Sequence, residues 1–382
     1  MARAVCVIGP IAPFRGGIAR HTTAFAAALA ARKDVSVRLV TFRRLYPRRL
    51  YPGAQDTDPD SRPPAHLPPA AALLDTLDPR SWRRAVRHIL ADPPDLAILP
   101  AWTFFTAPAL GHVARALRRA GVETVMVVHN AEDHEGAAWK RRLTRWALGG
   151  ADRFITHNRA LAGAVAAIRP GAPVTVREHP IYDDYPDPPP GVMTAPEGID
   201  LLSFGLVRPY KGLDLALAAL AASGRGDVRL SVVGEFWIPR AEIEAEVARL
   251  GLSDRVRITP RYVSDAETAE AFARCHAVLA PYRAATGSGL VALARHYRRP
   301  VIASDVAGLA EAVSHGKDGW LFPAGDAGAL ARLIETELSR EAIAAMAPAL
   351  EARRVALGWP AFAEAALLSP SADPHPDGRR AP

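Results

Sequence analysis

The chain has little cysteine, no long apolar run and no surplus of acidic residues. Its only cysteines, Cys6 and Cys275, are too few and too far apart for a disulfide framework. Cys6 lies in the first apolar run and Cys275 at the end of a helical segment, so both read as small buried hydrophobes of a reduced, cytoplasmic protein. No stretch approaches the roughly 20 apolar residues that span a bilayer. The apolar run at 4–8 is too short for a signal peptide and runs straight into Gly9-Pro10. A membrane could therefore be met only at its surface, which places the chain in the cytoplasm or peripherally on the inner face of the membrane. There is no recognition-helix pattern, zinc-ligand set or RNP-type aromatic motif, so nucleic acid is not an expected partner. There is also no internal sequence repeat.

What is present suits a globular protein of two domains: 382 residues, 49% apolar and 23% charged. The net charge of +7 fits an anionic substrate or an anionic membrane surface. Strand-like runs at 5–8, 35–42, 96–99, 122–128 and 153–156 alternate with helical patterns at 20–31 and 112–120. The alternation restarts with strands at 199–204, 228–233, 256–259, 277–280, 301–304 and 320–322, and with helices at 213–222, 241–250, 265–273, 290–298 and 327–338. Such βα units predict parallel sheets covered on both faces. The stretch 43–79, rich in proline, arginine and tyrosine, reads as a surface excursion, and the proline-rich 179–190 as a linker. The expected fold is α/β, with two Rossmann-like, doubly wound domains whose strand ends face a central cleft. The first domain spans 1–190 with its linker and the second 191–345. A helical segment at 346–368 returns to the first domain, and 369–382 form a disordered tail.

Phe204-Gly205-Leu206-Val207-Arg208-Pro209-Tyr210-Lys211-Gly212 is the most informative segment. It sits between a buried strand and a helix. Free N–H groups and the helix dipole at such a turn attract an anion, and Arg208 and Lys211 add two positive charges. That combination suits a diphosphate held without a metal. An ordinary βα turn with solvated basic residues is the alternative.

The chain resembles the GT-B glycosyltransferases, in particular the retaining family 4 group. The resemblance rests on Gly205 to Gly212, on Pro281-Tyr282-Arg283-Ala284-Ala285-Thr286-Gly287-Ser288-Gly289, on Pro300 to Glu311 and on Gly316 to Phe322. Gly9-Pro10 with Gly16-Gly17, and His129-Asn130, match the acceptor side of such enzymes. The resemblance implies the GT-B fold and a nucleotide-diphosphate sugar as donor, with Lys211 and a nearby arginine on its diphosphate. The family's arginine follows the first glycine directly. Here that position is Leu206, and Arg208 is the nearest arginine. The family's two glutamates, eight positions apart, are Thr286 and Ala294 here, so neither the donor sugar nor the ribose can meet a carboxylate at those positions. The turn itself remains. Gly287, Ser288, Gly289 and Leu290 offer N–H groups at a helix start, and Thr286 and Ser288 can hydrogen-bond a sugar hydroxyl.

On the acceptor side, Gly16 and Gly17 let a ligand approach the backbone, or else form a tight turn. The resemblance makes His129, with Asn130, a contact to the transferred sugar, and a capped strand-end histidine is the plainer reading. His129, Asp133 and His134 match no established metal spacing, so no metal or other cofactor is expected. Glu132, Asp133 and Glu135 offer a base for the acceptor hydroxyl, or a solvated acidic loop. Arg43, Arg44, Arg48 and Arg49 interleave with Tyr46 and Tyr51, a stretch suited to an acceptor phosphate, to anionic lipid or to solvent. The leading expectation is transfer of a sugar, with retention, to a saccharide or lipid-linked acceptor in glycan or envelope synthesis. Lys211, Arg208 and His129 form its catalytic set. A catalytically weak binding module that assists a partner glycosyltransferase is the alternative, and a sugar-nucleotide epimerase is a third reading.

Overall fold

The computed structural model describes residues 2–47, 55–58, 61–131 and 138–368. The chain forms two compact units. The first holds the N-terminal segment to Tyr46 and the segment Thr57–Glu178, and it takes the chain back at Trp359. The second is built on His179–Gly358.

In the first unit, seven parallel strands lie in the order β3-β2-β1-β4-β5-β6-β7. These are β1 Arg3–Ile8, β2 Val35–Arg44, β3 Ala70–Asp75, β4 Leu96–Ala101, β5 Glu123–Val128, β6 Arg153–Thr156 and β7 Val174–Val176. The strand order reverses between β1 and β4. The inner strands are buried on both faces, as helices on either side require, with Ile8, Leu99, Val128 and Phe154 in the core. The last described helix, Trp359–Leu367, lies on the helix Gly17–Ala30, with the Phe25 and Phe362 rings 5.4 Å apart. Arg3 and Arg153 hydrogen-bond the carbonyls of Leu367 and Ala366, which ties this helix back to the first sheet.

The second unit is a six-stranded parallel sheet in the order β10-β9-β8-β11-β12-β13. Its strands are β8 Ile199–Phe204, β9 Val228–Val233, β10 Val256–Thr259, β11 Ala277–Ala280, β12 Val301–Ser304 and β13 Gly319–Phe322. The order reverses between β8 and β11, which pair through Ala277 with Leu201 and Val278 with Leu202. Leu201, Leu230, Leu279 and Ile302 of the sheet pack against Leu217, Leu220, Leu330 and Ile334 of the helices Leu213–Ala222 and Ala327–Thr336.

Two expectations need correction. The stretch 43–79 is not only an excursion: β2 runs to Arg44, and Ala70–Asp75 is an edge strand paired with it. A buried carboxylate drives this. Asp75 is 3% exposed, and burial alone would raise its pKa. Hydrogen bonds from Arg44, the Leu77 amide and Arg43 instead hold it below the usual range. The stretch 179–190 is likewise an ordered part of the second unit: the Ile181 amide donates to the Leu357 carbonyl at 2.9 Å, and the Tyr297 hydroxyl donates to that of Pro186 at 2.9 Å. The proposed tail 369–382 lies outside the described residues.

Candidate functional site

Ligands of doubly wound sheets bind beyond the carboxyl ends of the strands, where the strand order reverses. In the second unit that place lies past β8 and β11, and both loops resembling a donor site leave the sheet there. After β8 the chain turns at Gly205 with φ +95°, and the Gly205 amide hydrogen-bonds the Val233 carbonyl at 2.9 Å. Val207 then bridges Phe236, and a single 3-10 turn, Pro209–Lys211, precedes Gly212. Gly212 has φ +68°, and a Cβ there would lie 2.0 Å from the Pro281 carbonyl oxygen. Only glycine lets the two loops touch at this point.

The contact brings the Lys211 side chain over the second loop. Its ammonium lies 5.6 Å from the centre of the Tyr282 ring and packs over Gly205, where a Cβ would be 3.2 Å away. Among the described residues no carboxylate pairs with it. Burial depresses the Lys211 pKa; Tyr210 opposes this and the nearby Arg208 charge adds to it. The Arg208 guanidinium lies over the rings of Trp237 at 5.1 Å and Tyr210 at 5.4 Å, a placement that depends on the extra bridge after Gly205.

The Pro-Tyr-Arg sequence acts as a bracket for this turn. The Arg283 amide hydrogen-bonds the Tyr210 carbonyl at 2.7 Å, and its guanidinium reaches the Pro209 carbonyl at 3.1 Å and Asp214 Oδ1 at 2.8 Å. The hydrogen bond from Arg283 lowers the Asp214 pKa. Tyr282 is buried, which pushes its phenol up to about 12 despite a hydrogen bond with the Ser288 side chain. Ser288 caps the helix Gly289–His296, its Oγ accepting from the Leu290 amide at 3.2 Å. The turn Thr286-Gly287 is pressed from below: the Gly308 amide reaches the Ala285 carbonyl at 3.1 Å, and a Cβ on Gly308 would lie 2.3 Å from the Thr286 carbonyl carbon. Gly205, Arg208, Lys211 and the stretch from Thr286 to Leu290 thus belong to one constellation. Tyr282 and Arg283 hold it together, a role the motif's sequence does not spell out. Ala294 is fully buried within its helix.

In the first unit, Gly16 with φ +96° opens the helix Gly17–Ala30 without a side-chain cap. His129 follows β5, and its amide and that of Asn130 both donate to the Ala101 carbonyl, at 2.8 and 3.3 Å. His129 belongs to a cluster. Its Nδ1 is 3.1 Å from His157 Nε2, and the His21 ring meets its ring edge-on at 4.5 Å. Trp359 and Phe362 close around His21 at 4.9 and 5.3 Å. One proton shared between the His129 and His157 nitrogens fixes both imidazoles, and which ring carries it follows from the tautomer. His21 and His157 were not singled out from the sequence. One signal was there: His157-Asn158 after β6 repeats His129-Asn130 after the neighbouring β5.

Other candidates fare differently. Glu132, Asp133, His134 and Glu135 lie outside the described residues, as do Arg48, Arg49 and Tyr51. Arg43 and Arg44 turn to Asp75, and Tyr46 accepts a hydrogen bond from Trp102 at 3.2 Å, so the described part of that basic-aromatic stretch is used within the fold. Cys6 and Cys275 are buried, and desolvation pushes both thiols up to about 12. No helix among the described residues is long and apolar enough to cross a membrane.

Comparison with known proteins bears on both units. A family model described as Glycosyl transferase 4-like domain matches residues 16–196, and one described as Glycosyl transferases group 1 matches 198–340. A GDP-mannose:glycolipid 4-beta-D-mannosyltransferase of Xanthomonas campestris pv. campestris is 30% identical over 210 residues, 54% of this chain and 57% of that protein. The chain thus spans little more than half the length of that curated relative. Among solved structures, sucrose-phosphate synthase from Thermosynechococcus elongatus superposes with a TM-score of 0.76 at 19% identity, covering 95% of this chain and 97% of the other. The Anabaena protein HepE in complex with UDP and glucose gives 0.70 at 18% identity, covering 94% and 97%. These likenesses identify the two doubly wound units as a GT-B fold.

Proposed function

The chain belongs to the GT-B glycosyltransferases, and from that membership we propose that it moves a sugar from a nucleotide-diphosphate sugar to an acceptor hydroxyl. The observation that carries this reading is Lys211: a half-buried ammonium without a carboxylate partner among the described residues, where the strand order reverses and beside a capped helix start. A buried cation of this kind calls for an anion. Lys211, Arg208 and the N–H groups of Gly287, Ser288 and Gly289 receive the donor diphosphate, while the Leu290 N–H holds the Ser288 cap, with Gly205 allowing close approach and Thr286 and Ser288 within reach of a sugar hydroxyl. In the reaction the bond from the anomeric carbon to the phosphate oxygen breaks, and a bond to the acceptor oxygen forms. The acceptor hydroxyl loses its proton, and a nucleoside diphosphate leaves. The cations and amides stabilise the charge that grows on that leaving group, which removes the need for a metal.

The donor side is assigned to the second unit and the acceptor side to the first, where Gly16, Gly17, His129 and Asn130 stand. His129, steadied by His157, contacts the transferred sugar. The acceptor is a saccharide or a lipid-linked glycan. The named relative acts on a glycolipid, and HepE was crystallised with UDP and glucose, which supports these classes of acceptor and donor. Retention is what the family resemblance implies. The relative's 4-beta product from GDP-mannose supports inversion as a second reading, since that donor is α-linked. The one-bond carbon–hydrogen coupling at the product's anomeric centre distinguishes them.

The test is a thermal-shift screen against UDP-, GDP- and ADP-sugars, followed by transfer assays with saccharide and glycolipid acceptors. Binding with turnover supports the proposal. Tight binding without turnover supports the alternative, a GT-B module that assists a partner enzyme, for which the absent carboxylates at Thr286 and Ala294 speak.

A further inference from the structure

Both cations of the Lys211 turn rest on aromatic rings, and neither meets a carboxylate among the described residues. Lys211 stands over Tyr282, and the half-buried Arg208 carries its guanidinium over Trp237 and Tyr210, at 5.1 and 5.4 Å. The Tyr210 and Tyr282 rings in turn meet edge-on at 5.9 Å, so the supports of the two charges are linked. The charges are close enough for Arg208 to depress the Lys211 pKa. A ring face attracts a cation without cancelling its charge. A carboxylate in the same place would neutralise it and compete with an arriving anion.

Trp237 comes from a different loop than Arg208, and the backbone fixes where it stands. Beyond β8 and β9 the two chains stay together: the Val207 amide donates to the Glu235 carbonyl at 2.9 Å, and the Trp237 amide donates to the Val207 carbonyl at 2.9 Å. Gly234 permits this, since a Cβ there would lie 1.9 Å from the Gly205 carbonyl oxygen. Val207 bridges Phe236 in parallel, so the next pair, the extended Arg208 and Trp237, falls on one face of the ribbon. Holding an arginine still costs rotamer freedom. Contacts with two rings offset that cost before any ligand arrives, which is preorganisation.

We propose that Trp237 is a positioning residue for the donor: with Tyr210 it holds the Arg208 guanidinium beside the Lys211 ammonium, its charge left open for the diphosphate. This rests on the reading of the Lys211 turn as the diphosphate seat. Trp237 acts through Arg208 and need not touch the donor.

Calorimetric titration of the full chain with UDP, GDP and ADP, followed by a double-mutant cycle with whichever the parent binds most tightly, tests this. Trp237→Leu keeps apolar bulk and removes the ring, so it should weaken binding by roughly two- to thirtyfold, the range of a cation–ring contact. Trp237→Phe should restore most of the loss. In an Arg208→Met background Trp237→Leu should change nothing further. Tyr210→Leu should follow the same cycle, and it decides the matter if melting without ligand shows that Trp237→Leu does not fold. Equal weakening by leucine and phenylalanine would make Trp237 a packing residue, and a loss that persists undiminished without the Arg208 charge would mean that it acts elsewhere. Either result overturns the proposal, as does parent-like binding by Trp237→Leu. A parent that binds none of the three diphosphates removes the donor reading and this one with it, whereas a binding parent with an additive cycle removes only the role of Trp237.

Discussion

Replacing Lys211 with methionine keeps the apolar stem and removes the charge, so it separates what the ammonium costs the fold from what it gives the ligand. In the ligand-free protein the charge is a burden. Burial depresses the Lys211 pKa, Arg208 depresses it further, and only the neighbouring Tyr210 opposes the shift. The Tyr282 ring at 5.6 Å returns about 0.5–2 kcal/mol at a site of this kind. A lysine whose folded-state pKa lies below its unfolded value of about 10.4 destabilises the fold at all pH values below the folded pKa, and the penalty vanishes as pH rises past the unfolded value. Lys211→Met should therefore stabilise the ligand-free protein at neutral pH by about 1 kcal/mol, or roughly 2–4 °C in melting temperature for units of this size. That gain should shrink at alkaline pH.

With a diphosphate bound the balance reverses. Two opposite charges about 4 Å apart gain about 4 kcal/mol at an effective dielectric of 20, which corresponds to roughly a thousandfold in kcat/KM. Scanning fluorimetry without donor and initial-rate kinetics with donor measure the two halves. A lower melting temperature in the ligand-free variant, or a kcat/KM within tenfold of the parent, would refute the reasoning.

Other consequences are measurable in the same way. Gly212→Ala places a Cβ 2.0 Å from the Pro281 carbonyl at φ +68°, so beyond the roughly 1–2 kcal/mol of left-handed strain the two loops must separate; urea unfolding should show a loss of at least about 2 kcal/mol, and the donor-induced thermal shift should disappear. Arg283→Ala should raise the donor KM more than Asp214→Ala does, because Arg283 also holds the Pro209 carbonyl. The half-exposed pair itself is worth less than about 1 kcal/mol of stability, so equal effects of the two variants on KM would show that the ion pair alone matters. Ser264→Ala breaks a capping box with Glu267 and should cost about 1 kcal/mol by chemical denaturation. Arg261 and the Ser264 amide hold the Glu267 carboxyl down at about 2, so the cost of Glu267→Gln, unlike that of Ser264→Ala, should be full above the unfolded value of about 4.3 and fade as pH falls towards 2; a constant cost from pH 7 to 2 would contradict this.

The sheets were largely legible because their strands are short apolar runs ended by glycine, proline or a polar residue, as at 199–204 and 301–304. What escaped depended on distant partners. The edge strand Ala70–Asp75 has a weak apolar pattern and a proline-rich approach, and its place is set by Asp75 meeting Arg43 and Arg44 across the neighbouring strand. The helix Ala138–Leu148 carries arginine and lysine where a strong apolar stripe would have revealed it. The use of the Lys211 turn as an anion seat belongs to the proposal, but the glycine-containing turn itself was readable after β8. The roles of Tyr282 and Arg283 were not, because they come from two loops meeting where the strand order reverses. His129 was singled out alone because nothing in one sequence ties His21 and His157 to it; parallel register does, placing His129 and His157 just beyond the paired residues Val128 and Thr156.

That bracket also bears on the missing glutamates. A carboxylate at Thr286 would help orient the loop, but here the loop is fixed by other means: Gly308 beneath the turn, Ser288 bonded to the buried Tyr282, and Arg283 fastened to the Lys211 turn. A carboxylate at Ala294 would sit where the side chain is fully buried and would need a buried partner of its own. The turn therefore keeps its shape without the pair, and under the proposed function what is lost is recognition of the hydroxyls of the ribose and the donor sugar. A site built this way should discriminate by phosphate number more sharply than by base. In the donor screen, the step from a nucleoside monophosphate to the corresponding diphosphate should change the thermal shift more than the exchange of uracil for guanine. The reverse ranking would mean that contacts to the nucleoside, rather than the Lys211 turn, dominate binding.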